Sequence, residues 1–210
     1  TEGIATLFTL AFSDGLSVQC RLAKNPGRHN ALNAAGVLSV IWALGEDVSR
    51  AAEGLAGYSG VRRRFDLVGE AADVTVVDDY AHHPAEIAQS VKSIRELYKD
   101  KKITAIFQPH LYTRTKDFYK DFADSLSLLD EVILTEIYPA REQPIPGVSS
   151  RLIYDNLRPG IEKCICKKED IPGLLAKKPI ELLIVLGAGD LDNYVPSITR
   201  LLEQRANSES

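Results

Sequence analysis

Val74-Thr75-Val76-Val77-Asp78-Asp79-Tyr80-Ala81-His82-His83-Pro84 carries an apolar run directly into two carboxylates, a phenol and two imidazoles. The apolar run reads as a buried strand, and beyond Pro84 the residues Ile87, Val91, Ile94 and Tyr98 recur at helical spacing. The polar cluster therefore sits on a strand-to-helix turn. In an open α/β sheet, ligands bind at that place. Ordinary capping also accounts for part of it, since Asp before a helix and Pro in its first turn are common helix-start residues.

The same grammar recurs along the chain. Apolar strands are expected near residues 74–79, 103–108, 131–137, 162–166 and 181–186, with helices between them. The helix after Arg114 carries Phe118, Phe122, Leu126 and Leu129 on one face, and the last helix carries Val195, Ile198 and Leu202. Such alternation predicts an α/β fold: a Rossmann-like, mostly parallel sheet with helices on both faces. Ahead of it, residues 4–22 read as a β-hairpin turning at Ser13-Asp14-Gly15, followed by helices over about 30–44 and 48–56. The boundary between the two parts is expected near Tyr58-Ser59-Gly60, giving domains 1–58 and 59–210.

Four strands end in polar or glycine-rich loops: 78–84, 108–115, Tyr138-Pro139-Ala140-Arg141-Glu142 and Gly187-Ala188-Gly189-Asp190. In a parallel sheet these loops share one edge, so side chains far apart in sequence can meet one ligand. The glycine-rich loop lacks the spacing of a dinucleotide fingerprint. It is read as a tight turn, with Asp190 capping the final helix. Arg114 is the strongest candidate for a carboxylate, because a guanidinium offers a planar fork that keeps its charge. A cation near a helix start opposes the helix dipole, which points to a specific anion. His82 and His110 can hydrogen-bond the same substrate or pass a proton, although histidines after strands are also often structural.

The chain has 210 residues, 45% of them hydrophobic, enough for one or two domains with sizeable cores. A formal charge of -4 without a long basic run argues against nucleic acid as the main partner. No apolar stretch reaches membrane-spanning length and no signal peptide opens the chain, so a cytoplasmic protein is expected. The three cysteines are read as reduced packing residues, with Cys164 and Cys166 on the same side of a strand.

The turn written as D-Y-A-H-x-P resembles the C-terminal domain signature of the Mur ligases, ATP-dependent enzymes that join amino acids to the peptidoglycan precursor. Gln108-Pro109-His110-Leu111-Tyr112-Thr113-Arg114-Thr115, after Phe107, is similar to F-Q-P-H-x-Y-[ST]-R-T of the family's alanine-adding branch. Pro26-Gly27-Arg28-His29-Asn30-Ala31-Leu32-Asn33-Ala34-Ala35 resembles the end of that branch's central ATP-binding domain.

The resemblance implies a complete enzyme that uses ATP and Mg²⁺ to join UDP-N-acetylmuramate to L-alanine through an acyl phosphate, in peptidoglycan precursor synthesis. It implies that His29, Asn33, Arg64 and Asp79 contact ATP, and that Tyr80, His82, His110 and Arg114 face the amino acid. No metal ligand is assigned. Arg62 or Arg63 could take the role of Arg64, Asp79 could be a helix cap and Asn33 a plain helix residue. Many relatives carry Arg where this chain has Leu111, so a second cationic contact is in doubt.

The chain holds no Met and no Gly-Lys pair, hence no Walker-type phosphate loop. It is expected to be a piece of a longer protein, residues 1–58 being the remnant of a truncated ATP-binding domain. By itself the piece is expected to be inactive and to hold no nucleotide tightly. The alternatives are the ligase that recycles a whole tripeptide, which shares D-[YF]-A-H-H-P, and a non-catalytic nucleotide-binding or interaction module.

Overall fold

The structure, a computed structural model, describes residues 5–24, 26–71 and 74–208. They form two compact units that divide between Arg62 and Arg63. In the first unit, β1 (Thr6–Ala11) and β2 (Ser17–Leu22) pair antiparallel, with Ala11 opposite Ser17 at the turn. Asp14 makes that turn: its carboxylate accepts from the Leu16 amide at 3.0 Å and from the Trp42 indole at 2.8 Å. Trp42 lies on α1 (Arg28–Ala43), and α2 (Val48–Leu55) begins at Asp47, whose carboxylate accepts from the Arg50 amide at 3.0 Å. Val18, Cys20, Leu38, Val48 and Ala52 form the core of this unit.

The second unit is built on a six-stranded sheet, among the described residues, ordered β3-β4-β8-β5-β6-β7. Its strands are β3 (Asp66–Ala71), β4 (Val74–Asp79), β5 (Ile103–Phe107), β6 (Glu131–Leu134), β7 (Glu162–Ile165) and β8 (Leu182–Leu186). All pairs are parallel except β3 with β4. That antiparallel edge strand is absent from the sequence-based expectation. Its residues, Asp-Leu-Val-Gly-Glu-Ala, mix charge and glycine, and its register slips between Leu67 and Gly69.

Strand alternation sets the two faces. Val77, Ala105, Phe107, Val132, Leu134, Ile184 and Leu186 pack on one side against α3 (Pro84–Leu97), α4 (Tyr112–Leu126) and α5 (Arg151–Asn156). Val76, Ile106, Ile133, Leu183 and Val185 pack on the other against α6 (Ile171–Leu175) and α7 (Val195–Ser208). Phe122 and Leu126 of α4 are buried as the helical spacing predicts, as are Val195, Ile198 and Leu202, whereas Leu129, expected on the same helical face, is buried in the loop beyond the end of α4 at Leu126. Cys164 and Cys166 are unbonded, half-buried and packed on the second face, where burial raises both thiols.

The order of strands decides where a site can form. From β4 the chain passes to β5, then β6 and β7, and returns to insert β8 between β4 and β5. The loops after β4 and β5 lead to helices on one face, while the loop after β8 leads to α7 on the other. A crevice opens at such a reversal. The register places Asp79, Leu186 and Phe107 side by side, so the three following loops leave the sheet at one level. No helix among the described residues is long and apolar enough to cross a membrane.

Candidate functional site

The β4–α3 turn is stiffened from within. Asp79 is buried, and its carboxylate accepts from the Ala81 amide at 3.2 Å and from the Ser90 hydroxyl of α3. Burial raises its pKa. Glu86 accepts from the amides of His82 at 3.0 Å and His83 at 3.2 Å, satisfying two donors at the start of α3. His83, not an Asp, is the helix N-cap residue. The two histidines then diverge: the His83 ring meets Phe118 of α4 edge-on at 5.0 Å, while His82 turns toward Tyr80 and His110.

Nδ1 of His82 lies 2.9 Å from the Tyr80 carbonyl oxygen. A carbonyl only accepts, so this nitrogen carries a proton and the neutral ring keeps its lone pair on Nε2. His110 has the opposite arrangement. Its Nδ1 lies 3.3 Å from an Arg114 guanidinium nitrogen, which only donates, so Nδ1 accepts and Nε2 holds the proton. Burial, then Arg114 and His82, lower the His110 pKa and keep the ring neutral.

These contacts bring four of the expected residues into one row. Ring centroids are 5.2 Å apart for Tyr80 and His82 and 5.9 Å for His82 and His110, and Arg114 follows on His110 one helical turn later. Among the described residues Arg114 has no ion-pair partner, and it is half-buried. Its guanidinium is thus partly desolvated and open to an anion. Leu111 stands at the N-cap of α4 with φ 75 and ψ 136, a backbone conformation an L side chain seldom adopts.

The arginine run before β3 separates by role. Arg63, with φ 60, folds its guanidinium over the sheet edge, donating to the Gly187 carbonyl at 2.8 Å. It also pairs with Asp192 at 3.1 Å and stands 3.6 Å from Asp78. Arg64 is exposed and lies 5.3 Å from the Tyr80 ring centroid, on which Arg63 also stacks at 5.0 Å. Of the two, Arg64 keeps its charge available. His29 and Asn33 belong to the first unit, one turn apart on α1, His29 half-buried and Asn33 exposed.

Burial pushes Asp78 from 3.8 up to about 6, against the opposing pull of Arg63. Its folded pKa exceeds its unfolded one, so the folded state holds the proton more tightly. The resulting penalty is complete above about pH 6 and vanishes below the unfolded value of 3.8. Asp78→Asn is expected to remove that dependence, narrowing the stability difference between pH 4 and pH 7 by about 1–3 kcal/mol relative to the parent. Urea unfolding of both proteins at the two pH values measures it; parallel pH dependences would refute the buried, proton-hungry carboxyl.

The glycine-rich loop after β8 packs on Gln108. Gly187 has φ 139 and a Cβ there would come within 2.8 Å of the Gln108 carbonyl oxygen; a Cβ on Gly189 would collide with the Gln108 amide and approach Tyr138. Gln108 is buried, donates to Asp190 at 2.9 Å and accepts from the Leu191 amide at 3.1 Å. Asp190 does not cap the final helix as expected. It accepts from Gln108 and pairs with Lys168 at 2.6 Å, and a short 3₁₀ turn over Asp190–Asn193 separates it from α7. A lysine within reach outweighs helix amides that lie a turn further on.

Sequence reasoning also passed over Gln108, Tyr138 and Glu142 as individual residues. Tyr138 stacks on His110 with centroids 5.5 Å apart, and Glu142 binds Thr113 at the start of α4. The polar stretch 138–142 marked the loop, but only the register of β6 beside β5 shows which of its side chains arrive.

The Mur ligase, glutamate ligase domain family matches residues 63–189, more than half of the chain and most of the second unit. This chain belongs to the Mur ligase family. It is 61% identical over 176 residues to a UDP-N-acetylmuramate--L-alanine ligase of Phocaeicola vulgatus, covering 84% of this chain and 38% of that protein. It is 43% identical over 186 residues to the ligase of the same name from Cutibacterium acnes, covering 86% and 40%. Among solved structures it is similar to UDP-N-acetylmuramate-alanine ligase MurC of Thermotoga maritima. There the TM-score is 0.72 and the identity 29%, over 99% of this chain and 47% of that one. The chain thus spans about two fifths of the curated Mur ligases it matches.

Proposed function

We propose that this chain is the amino-acid-delivering part of an ATP-dependent ligase that joins L-alanine to the carboxylate of UDP-N-acetylmuramate. The observation that carries the reading is the row Tyr80, His82, His110 and Arg114 on the loops after β4 and β5. In the complete enzyme, ATP held with Mg²⁺ would supply the phosphoryl group that turns the sugar carboxylate into an acyl phosphate with ADP leaving, and the alanine amine would then displace phosphate. The amine nitrogen bonds to the acyl carbon as the carbon–oxygen bond to phosphate breaks.

Arg114 holds the alanine carboxylate through its planar fork, and His110 orients that fork by accepting from it. His82 presents a lone pair on Nε2, suited to take a proton from the incoming ammonium so that the amine can attack. Tyr80 packs beside His82 and limits the room for the alanine methyl. Arg64 fits the ATP side, because its guanidinium is exposed while Arg63 is tied to Asp192 and Gly187. Asp79, with both oxygens engaged, serves ATP by holding the turn in shape. His29 and Asn33, a turn apart on α1, contribute from residues 1–58 as the adenine side of the ATP-binding domain. Three unbonded cysteines suit a cytoplasmic setting.

The name and 61% identity of the Phocaeicola relative favour alanine over a tripeptide as acceptor. Comparing L-alanine with the tripeptide in the complete enzyme, by amide formation and phosphate release, tests this. Turnover with L-alanine alone is expected. Turnover with the tripeptide and none with alanine would overturn the proposal.

A further inference from the structure

Helix α4 starts without a cap of its own. Its N-cap is Leu111, whose side chain accepts no hydrogen bond and whose backbone is held at positive φ. The missing acceptor comes from another strand. Glu142, on the loop leaving β6, accepts from the Thr113 amide at 3.0 Å and from the Thr113 hydroxyl through its second oxygen. The loop is fastened to the same turn: the Leu111 amide donates to the Tyr138 carbonyl at 2.9 Å, and the Tyr138 amide donates to that of Pro109 at 2.8 Å. The Tyr138 ring stacks on His110 at an interplanar angle of 23°.

The residue after Thr113 is Arg114, third in the helix, where a positive charge meets the positive end of the helix dipole. A carboxylate at the first turn offsets that repulsion. Thr113 and the nearby Arg114 charge hold Glu142 below the usual carboxylate range, so it stays ionised, and Glu142 in turn favours the charged form of His110. Its distance from Arg114 exceeds ion-pair range, which leaves the guanidinium open.

We propose that Glu142 is a positioning residue for amino-acid binding: it caps α4 from the β6 loop and thereby aims Arg114 and His110 into one site. This rests on the reading of Arg114 as the carboxylate anchor. The strained backbone at Leu111 fits the same role, since such strain persists only where surrounding contacts impose it. Here the contacts are Glu142 on one side of the turn and Tyr138 on the other.

In the complete enzyme, Glu142→Ala is expected to raise the KM for alanine by about tenfold, the upper part of the range for a lost helix cap. The kcat and the KM for ATP should stay within about twofold, because the cap does not touch the nucleotide. Glu142→Gln, which keeps one acceptor oxygen, should restore part of the affinity. In this 210-residue chain, NMR titration of the His110 ring should show a lower midpoint in Glu142→Gln than in the parent. An unchanged alanine KM in both variants overturns the inference, as does an equal loss of every kinetic parameter, which marks a merely structural cap. If Arg114→Ala raises the alanine KM and Glu142→Ala does not, this inference alone falls. If Arg114→Ala also has no effect, the carboxylate anchor falls with it.

Discussion

Replacing Arg114 by Ala in the complete enzyme is expected to raise the KM for L-alanine by about 10- to 100-fold, the equivalent of losing one charge-assisted contact of about 1.5–3 kcal/mol. The reason is local. Arg114 lies half-buried at the first turn of α4, without an ion-pair partner among the described residues, beside a neutral His110 that accepts from it. A carboxylate arriving there meets a fork already oriented, and nothing else in the row replaces it, because position 111 is a leucine. Arg114→Lys should recover only part of the affinity, since an ammonium is a point charge without the bidentate geometry. Initial rates measured against alanine, with ATP and UDP-N-acetylmuramate saturating, give the answer; an alanine KM and kcat equal to those of the parent would remove Arg114 from the site.

Gln108→Leu should lower stability by about 2–4 kcal/mol, the cost of stranding buried polar partners. For a chain of this size that amounts to a fall in Tm of about 5–15 °C. The substitution nearly preserves volume and loses only the amide. Without it, the Leu191 amide has no acceptor and Asp190 loses one of its donors, while Lys168 remains. Gly189→Ala should act in the same direction from the other side, because its Cβ would occupy the space of the Gln108 amide and crowd Tyr138. Thermal unfolding followed by circular dichroism tests both. A Gln108→Leu protein melting with the parent would show that this amide does not hold the β5 and β8 loops together.

Gln108 also shows how far the sequence could be read. Its place in F-Q-P-H singled it out as part of a motif, and the apolar run before it placed it at a strand end. Its partners, Asp190 and Leu191, lie more than eighty residues away and meet it only because β8 inserts beside β5. Nothing in the spacing of residues 103–115 or 181–190 specifies that insertion. The same holds for Asp190, whose position before a helical pattern suggests a cap until Lys168 stands 2.6 Å away. Strand β3 escaped notice for another reason: it lies at the sheet edge, where Asp66 and Gly69 weaken the apolar signal that marks a buried strand.

The row Tyr80, His82, His110 and Arg114 lies between these cases. Each residue stood out as polar chemistry directly after an apolar strand, and parallel topology required the loops to share an edge. The motif D-Y-A-H-x-P names His82 and not His83, but the physical reason lies in the packing, because neighbouring residues on a turn differ by a rotation that tertiary contacts decide. Phe118 takes His83, and Tyr80 with His110 surrounds His82.

By itself the sequence determined the layered α/β plan and the polar loops that end its strands, because strand and helix periods and turn residues are local properties of the chain. Only the tertiary structure decided that β8 lies between β4 and β5, that Arg63 folds over the edge while Arg64 stays exposed, and that Glu142 caps a helix belonging to another strand. Those choices rest on burial and charge pairing between segments dozens of residues apart, whose energies depend on three-dimensional distance and leave no period in the sequence.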